Sequence, residues 1–518
     1  MLHWRQVPST PRQQLLSLAV VAGVLAGAAC APAAPPAAAP PAAAPPAAAV
    51  ASSPAAGAAA SAVPAAKPAT KELPAALRQG VTQKKIVPFL TAESSPESVK
   101  NIQDNIALFE KQNPDIGIEL QLMSNDNRAA RIINAVAVGE ELGIFEIERR
   151  QVPDFTQAGY LLPLESIPQS IGLEKFVPGS LLYWPWDGRL YQFTSDVAAA
   201  AMYWRKDLFQ AAGLAEPDSY ERILEASQRL NNQNGVSGNA FETSNNGSVQ
   251  RFVTFLWQNG GDFYNRDGRL AFDRPGSKQA VEDYAALARF APPGNASWGS
   301  LDPINSFVAG RVAMALFPGR MGYQVATKAP DIAKNTGVRE ARVARGGKGP
   351  RVVYGNATTY AIGATVRYPE EAKKFLQFMF TGDQLLKYSM AVPGHIVPAI
   401  KDVQDRVLQQ DDPYVKQYSD WIKLHFEATT YLNAEAQNMG SIKEDGTFDK
   451  SMVPMPWSSR VMGSPPVVAT MLQRITLENM PVEQAYNQAV DAHRQAPNLW
   501  KQDNPGWAPP DPNWRPPR

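Results

Sequence analysis

The run 193–209, FTSDVAAAAMYWRKDLF, constrains the fold of this chain more than any other stretch. It opens polar at Thr194-Ser195-Asp196, passes through the alanines 198–201, and ends on Met202-Tyr203-Trp204 before turning charged. Consecutive small residues suit a tightly packed strand that other backbones approach closely. Arg205-Lys206-Asp207-Leu208-Phe209 reads as a strand end passing into a helix. Asp207 then falls near the helix start, where the dipole favours a negative charge. The rest of the chain can be arranged around this strand.

The chain has 518 residues, 44% hydrophobic and 19% charged. That is globular composition, with room for two to three domains at about 150 residues each. Fifty basic residues stand against 49 acidic ones, so the balance points neither to nucleic acid nor to an anionic membrane surface. The first 30 residues follow the plan of a secretory signal. Arg5 and Arg12 precede the apolar run 15–27, and small residues lead to Cys30. The run is too short, and its flanks are wrong, for an ordinary transmembrane helix.

Cys30 is the only cysteine, which excludes an intramolecular disulfide. Standing directly after Gly27-Ala28-Ala29, it looks like the cleavage and lipidation site of a bacterial lipoprotein. Gly27 departs from that pattern, since Leu is usual there; an ordinary signal peptide with an incidental cysteine is the alternative. Segment 31–66 contains only Ala, Pro, Ser, Val and Gly. It has nothing to bury, its prolines favour polyproline II, and at about 3.1 Å per residue it could reach on the order of 110 Å. We expect a signal over 1–29, a tether over 30–84, and a folded body starting near Ile86.

Within the body, 85–90 is a short apolar run that suits a buried strand, although Pro88 cannot complete a ladder. Val99, Ile102, Ile106 and Phe109 recur at helical spacing over 96–112. Asn113-Pro114 stops that helix, and 116–122 alternates apolar and polar as a second strand. A further helix is expected over 128–138. Strand, helix, strand, helix is the pattern of an α/β layer with a parallel sheet. Later helices are expected over 220–231, 251–259 and 368–378. The second of these should end at Gly260-Gly261, where glycine permits left-handed backbone. Segment 328–350 reads as loop-rich, and 502–518, rich in Pro and Trp, as a wrapping or loose tail.

Several of these segments, in this order, resemble the extracellular solute-binding proteins of ABC transporters, specifically the sugar-type, maltose-binding-protein-like group. They are Phe109-Glu110-Lys111 with Pro114-Asp115-Ile116; Gln157 to Leu164; Asp187-Gly188-Arg189-Leu190-Tyr191; and Asp196 with Tyr203, Trp204, Lys206 to Phe209 and Ala212-Gly213-Leu214. Trp257 to Asp262 with Asp267 to Pro275, Phe307 with Gly310 to Met314, Tyr368 to Phe378, and Pro393 to Ala399 continue the series. The resemblance spans about residues 85 to 500. It implies an α/β, two-lobed periplasmic-binding-protein fold (type II-like), each lobe a mainly parallel sheet flanked by helices, joined by three hinge crossovers. The expected division is 85–198 and 362–398 for the first lobe, 199–361 and 399–500 for the second, and 501–518 for the tail.

The function implied is capture of a carbohydrate-like solute between the lobes and delivery to the permease subunits of an importer, by a monomer held at the outer face of the cytoplasmic membrane by its lipid anchor. A solute-sensing receptor that docks a signalling partner is the alternative from another class, and a secreted enzyme of carbohydrate metabolism a third. The four histidines do not cluster, and no HExxH, Walker or GxSxG motif occurs. Metal and nucleophile chemistry therefore lack parts; a glycosidase-type pair among 49 carboxylates is not excluded by counting but has no support, and we expect neither a cofactor nor an enzyme.

Sugar recognition needs planar apolar faces and groups that bridge hydroxyls. On the resemblance, the expected ligand-binding residues are Glu93 and Asp196 on the first lobe, and Trp257, Arg320, Tyr354 and Asn356 on the second lobe or hinge. His395 and Trp457, in Pro454-Met455-Pro456-Trp457, complete the set. The charged run Glu146, Glu148, Arg149, Arg150 falls on a strand-end loop that often touches sugar hydroxyls, though a charge run is more often a solvated face. Gly319-Arg320-Met321 puts Met where the family's stacking aromatic usually sits, which weakens the case for a typical oligosaccharide ligand.

Overall fold

Lys85–Thr91 (β1) forms the strand its apolar run predicts, pairing in parallel with Ile116–Leu122 (β2) and Ile144–Glu146 (β3). The computed structural model describes residues 84–515 apart from 94, 124–127, 246, 435, 452, 464, 507, 509, 510 and 512. The signal segment, Cys30 and the tether as far as residue 83 lie outside the described residues. The alternation of β1 sends Val87 and Phe89 into one apolar layer, with Ile102, Phe109 and Phe375. Leu90 goes into a second, with Ile132, Phe145 and Phe155. The helices Pro96–Gln112 and Pro369–Met379 cover the first face. Ser95 caps the former by accepting from the Ser98 amide.

The alanine-rich stretch is the strand Phe193–Arg205 (β4), buried at every position except Arg205. It passes from one lobe to the other. Phe193–Ala199 pairs antiparallel with the strand Val353–Ile362 (β7). Ala200–Arg205 pairs with Met314–Pro318 (β5) and Thr336–Arg339 (β6). Its far half alternates like β1: Ala200, Met202 and Trp204 enter a large second-lobe core, while Ala201 and Tyr203 enter the layer beneath. The helix Lys206–Ala211 follows directly, with Asp207 in its first turn bound by Arg205. β7 returns the chain, pairing with β3 at its end and with Leu432–Ala434 (β9) at its start. Val397–Pro398 (β8) pairs with Asp196 and Val197 of β4. The result is a two-lobed α/β protein with one curled nine-stranded sheet running through both lobes.

Three expectations need correction. The sheet is mixed rather than mainly parallel, because the crossing strands β4 and β7 run against each other and against most of their neighbours. The first lobe does not end at 398: Ile400, Val403, Val407, Val415, Ile422 and Phe426 all pack into its core. Ala428 and Tyr431 join the second-lobe core, while Leu432 and Ala434 of β9 join that of the first, so the chain runs between the two cores here. Finally, 328–350 contains the helix Pro330–Lys334 and β6. The strand was missed because Thr336-Gly337-Val338-Arg339 has almost no apolar side chain of its own. Gly337 is needed there, since a Cβ would stand 2.3 Å from the Trp204 ring.

The lobes also touch away from the hinge. Arg150 donates to the carbonyl of Met462 at 2.7 Å and accepts through its own carbonyl from Ser458 at 2.8 Å. Trp500, on the C-terminal helix Val482–Asp503, donates to Asp154 at 3.3 Å. Part of the tail folds back over the body: the carbonyl of Trp514 accepts from Arg266, and that of Ala508 from Trp186. Among the described residues no helix is long and apolar enough to cross a membrane.

Candidate functional site

The carboxyl ends of β1 and β3, the middle of β4 and the centre of β7 converge where the lobes meet, the position at which open α/β sheets bind ligands. Period two along β7 puts Tyr354, Asn356, Thr358 and Tyr360 on one face. Asn356 and Thr358 are only partly buried within a strand otherwise closed to solvent. Thr358 donates to Asp196 at 3.0 Å, and Tyr354 donates to Asn356. The Tyr360 hydroxyl lies 3.2 Å from that of Thr91 at the end of β1.

Asp196 owes its place to a bulge. The pairing of β4 with β7 slips between Thr194 and Asp196, and an inserted residue of this kind re-aims the side chain beside it. The carboxyl is 5% exposed. The Ser195 hydroxyl lies 2.6 Å from its Oδ2, and Thr358 serves Oδ1. No Lys, Arg or His nitrogen among the described residues comes within 4.0 Å of it. Burial pushes its pKa up to about 7; the two hydroxyls oppose the rise, and the charges of Glu93 and Glu146 add to it.

Two further carboxylates stand beside it. Glu146, 8% exposed, accepts from the Ala92 amide at 2.7 Å and from Thr91 at 3.0 Å, and is paired with Arg128. Arg128 also holds Glu148 at 3.0 Å, which in turn is paired with Arg150. Glu93 accepts from the Ser95 amide at 3.0 Å and faces Arg320 across the cleft at 3.7 Å. Arg320 opens the helix Arg320–Lys328 immediately after β5 and Gly319. Gly319 cannot be replaced there, because a Cβ would lie 2.0 Å from the carbonyl of Gly394. That contact brings His395 beside Arg320. Burial, with the Arg320 charge adding to it, holds the His395 imidazole well below its usual pKa. Its Nδ1 is shut off from solvent and has no hydrogen-bond partner.

Of the residues expected from sequence, Glu93, Asp196, Arg320, Asn356 and His395 are thus brought to one region. Tyr354 contributes its hydroxyl to Asn356, but its ring lies in the second-lobe core. Trp257 and Trp457 must be corrected. Each is 1% exposed inside that core, and Trp457 packs edge-on against Tyr264 with centroids 5.0 Å apart. Neither presents a ring face to a solute. Of the charged run, Arg149 is buried, donating to the carbonyls of Gly179 and Ser180 and to Thr194. The residues missed were Thr91, Arg128, Ser195 and Thr358; the period-two register with Asn356 was the signal available for Thr358. Among the described residues no group of His, Cys, Asp and Glu could hold a metal ion.

A depression of about 740 Å³ lies elsewhere, on the second lobe beside the glycine-rich loop 345–349. Its arginines are already engaged, Arg345 by Asp283 and Arg351 by Glu340 and Glu427.

Fold and cleft together define a two-lobed binding protein whose site is assembled from both lobes. The chain belongs to the bacterial extracellular solute-binding proteins, a family it matches over residues 92–384, more than half its length. It is 25% identical over 351 residues to YcjN of Escherichia coli (strain K12), named as an ABC transporter periplasmic-binding protein; the match covers 64% of this chain and 76% of that one. It is 26% identical over 279 residues to the mannitol-binding protein of Pseudomonas aeruginosa, covering 52% and 63% respectively. The fold is also that of maltose-bound MalE3 from T. maritima, with a TM-score of 0.65 at 19% identity over 79% of this chain and 99% of that one. Binding is the activity that the family's description and the names of these proteins share.

Proposed function

We propose that this protein captures a sugar or polyol in the cleft between its lobes and delivers it to the permease subunits of an ABC importer. The observation that carries this reading is the half-buried polar face of β7, Asn356 and Thr358, set against the carboxylates of Glu93, Glu146 and Asp196. Such a surface offers many hydrogen-bond acceptors to hydroxyls, and the likeness to a mannitol-binding protein agrees with it. With Trp257 and Trp457 withdrawn into the core, no indole of that pair stacks on a sugar ring. That favours a small, extensively hydroxylated solute over a long oligosaccharide. In this reading the chain is exported by its signal, held by a lipid on Cys30 at the outer face of the cytoplasmic membrane, and acts through its tether as a monomer.

A thermal-shift screen of the purified protein against hexoses, disaccharides, hexitols, pentitols and amino acids tests the reading. A solute at 100 times its dissociation constant stabilises the folded state by about 2.7 kcal/mol, a shift of several degrees. A response confined to sugars or polyols is expected. A response to amino acids alone, or to nothing in the panel, would refute it.

A further inference from the structure

We infer that the cleft selects its solute by charge: Asp196 makes it a site for neutral or ammonium-bearing polyhydroxylated molecules and excludes sugar acids and sugar phosphates. The inference rests on the cleft being the solute site, and it adds the class of solute.

An ionised carboxylate only accepts hydrogen bonds, at about four lone-pair positions. Ser195 and Thr358 supply one donor to each oxygen of Asp196, so acceptor capacity remains on both. Glu93 accepts from the Ser95 amide and faces Arg320 at 3.7 Å. Asn356 and Thr358 lie beside them on β7. The unmet demand of this surface is therefore for donors. Hydroxyl and ammonium groups are donors, whereas carboxylate and phosphate oxygens are acceptors only and would face Glu93, Glu146 and, above pH 7, the ionised Asp196 with like charge.

The balance of fixed charge agrees. Glu146 and Glu148 are held by Arg128, and Glu148 also by Arg150. Arg149 gives its donors to carbonyls and to Thr194. Asp196 alone among these carboxylates has no cation within ion-pair distance among the described residues. Nδ1 of His395, next to Arg320, is closed to solvent and unpaired.

The opposing possibility is specific. Arg320 is only loosely engaged by Glu93 and could take a carboxylate or phosphate from the solute instead. Isothermal titration of the full chain with matched sets separates the two: D-mannitol, D-glucose, D-glucosamine, D-gluconate, D-glucuronate and glucose 6-phosphate, then the corresponding pentose series. We expect the neutral or amino member of a set to bind at least tenfold more tightly than its acid or phosphate. Asp196→Asn should bring that ratio close to one. Tighter binding of the acid or phosphate, abolished by Arg320→Gln, would overturn the inference while leaving the carbohydrate reading intact. Binding of no member of either series would overturn that reading itself. The wild-type ratios decide the matter even if Asp196→Asn does not fold.

Discussion

Replacing Asp196 by Asn tests the electrostatics of the cleft without any ligand. Asp196 is buried, is hydrogen-bonded by two neutral hydroxyls, and has the charges of Glu93 and Glu146 nearby. Its folded pKa lies at about 7, against an unfolded value of about 3.9. The native protein thus binds this proton more tightly than the unfolded chain does. The resulting stability is fully present below the unfolded value and is lost as pH rises through 7. At about 1.36 kcal/mol per pKa unit, the wild type forfeits about 2.5 kcal/mol between pH 5 and pH 8. Asparagine carries no such proton. Subtracting the variant from the wild type also cancels the titration of groups common to both, among them His425 and His493, whose pKa values burial lowers to about 4. The measurement is thermal unfolding of both proteins at pH 5, 6, 7 and 8. At about 2.1 cal/mol/K of unfolding entropy per residue, a body of about 430 residues shifts by about 1 °C per kcal/mol, so the wild-type melting temperature should fall by about 2–3 °C relative to Asp196→Asn across that range. A difference independent of pH, or one that grows in favour of the wild type as pH rises, would show that Asp196 stays ionised beside an adequate counter-charge. Asp196 could not then be the cation-free acceptor on which the charge selectivity of the cleft depends.

The remaining predictions concern the second-lobe core. Trp257→Ala should cost about 3–5 kcal/mol of unfolding free energy, whereas Trp257→Phe should retain solute affinity within about twofold; a large affinity loss in a well-folded Trp257→Phe would return the indole to the cleft. Arg251 and Glu242 form an ion pair at 3.2 Å with both side chains almost wholly buried, Arg251 lying over the Phe317 ring. Arg251→Met alone should destabilise by about 3–5 kcal/mol, and Arg251→Met with Glu242→Gln by much less, because a buried charge left without its partner costs more than the pair contributes. Equal denaturant midpoints for the two variants would refute that.

Most of the architecture was legible because it is written in short-range pattern. The period of 96–112, the alternation of 116–122 and the stop at Gly260, which adopts φ 79°, all act within a few residues and all appear where expected. What could not be read depends on partners distant in sequence. β6 is held by pairing with β4 and by the fit of Gly337 against Trp204, neither of which leaves a mark in residues 336–339. The helices between 401 and 428 look alike whichever lobe they join, and only their packing on Phe375 and Leu385 assigns them to the first. The tryptophans failed for a related reason. A Trp near a turn can face a cleft or plug a core, and the choice between them rests on whether Tyr264, nearly 200 residues from Trp457, fills the space beside it.

The site shows how the hinge and the binding chemistry are one structure. β4 and β7 carry the chain between the lobes, and the same two strands carry Asp196, Asn356 and Thr358. A solute that donates to Asp196 therefore binds at the axis about which the lobes would turn, while Arg320 and Glu93 meet from opposite sides of the cleft. Both side chains are largely buried and the contact, at 3.7 Å, is longer than a hydrogen bond, so desolvation offsets most of the attraction and the pair cannot by itself fix the closed arrangement. Closure needs a solute whose contacts are better made when the lobes are together. The donors that Asp196 lacks and the partner that His395 Nδ1 lacks belong to different crossing segments, β4 and the turn before β8. A single small polyol can satisfy both only where those segments and Gly319 lie in contact. On the proposed reading, the differential affinity that drives closure would arise at the hinge rather than at the rim of the cleft.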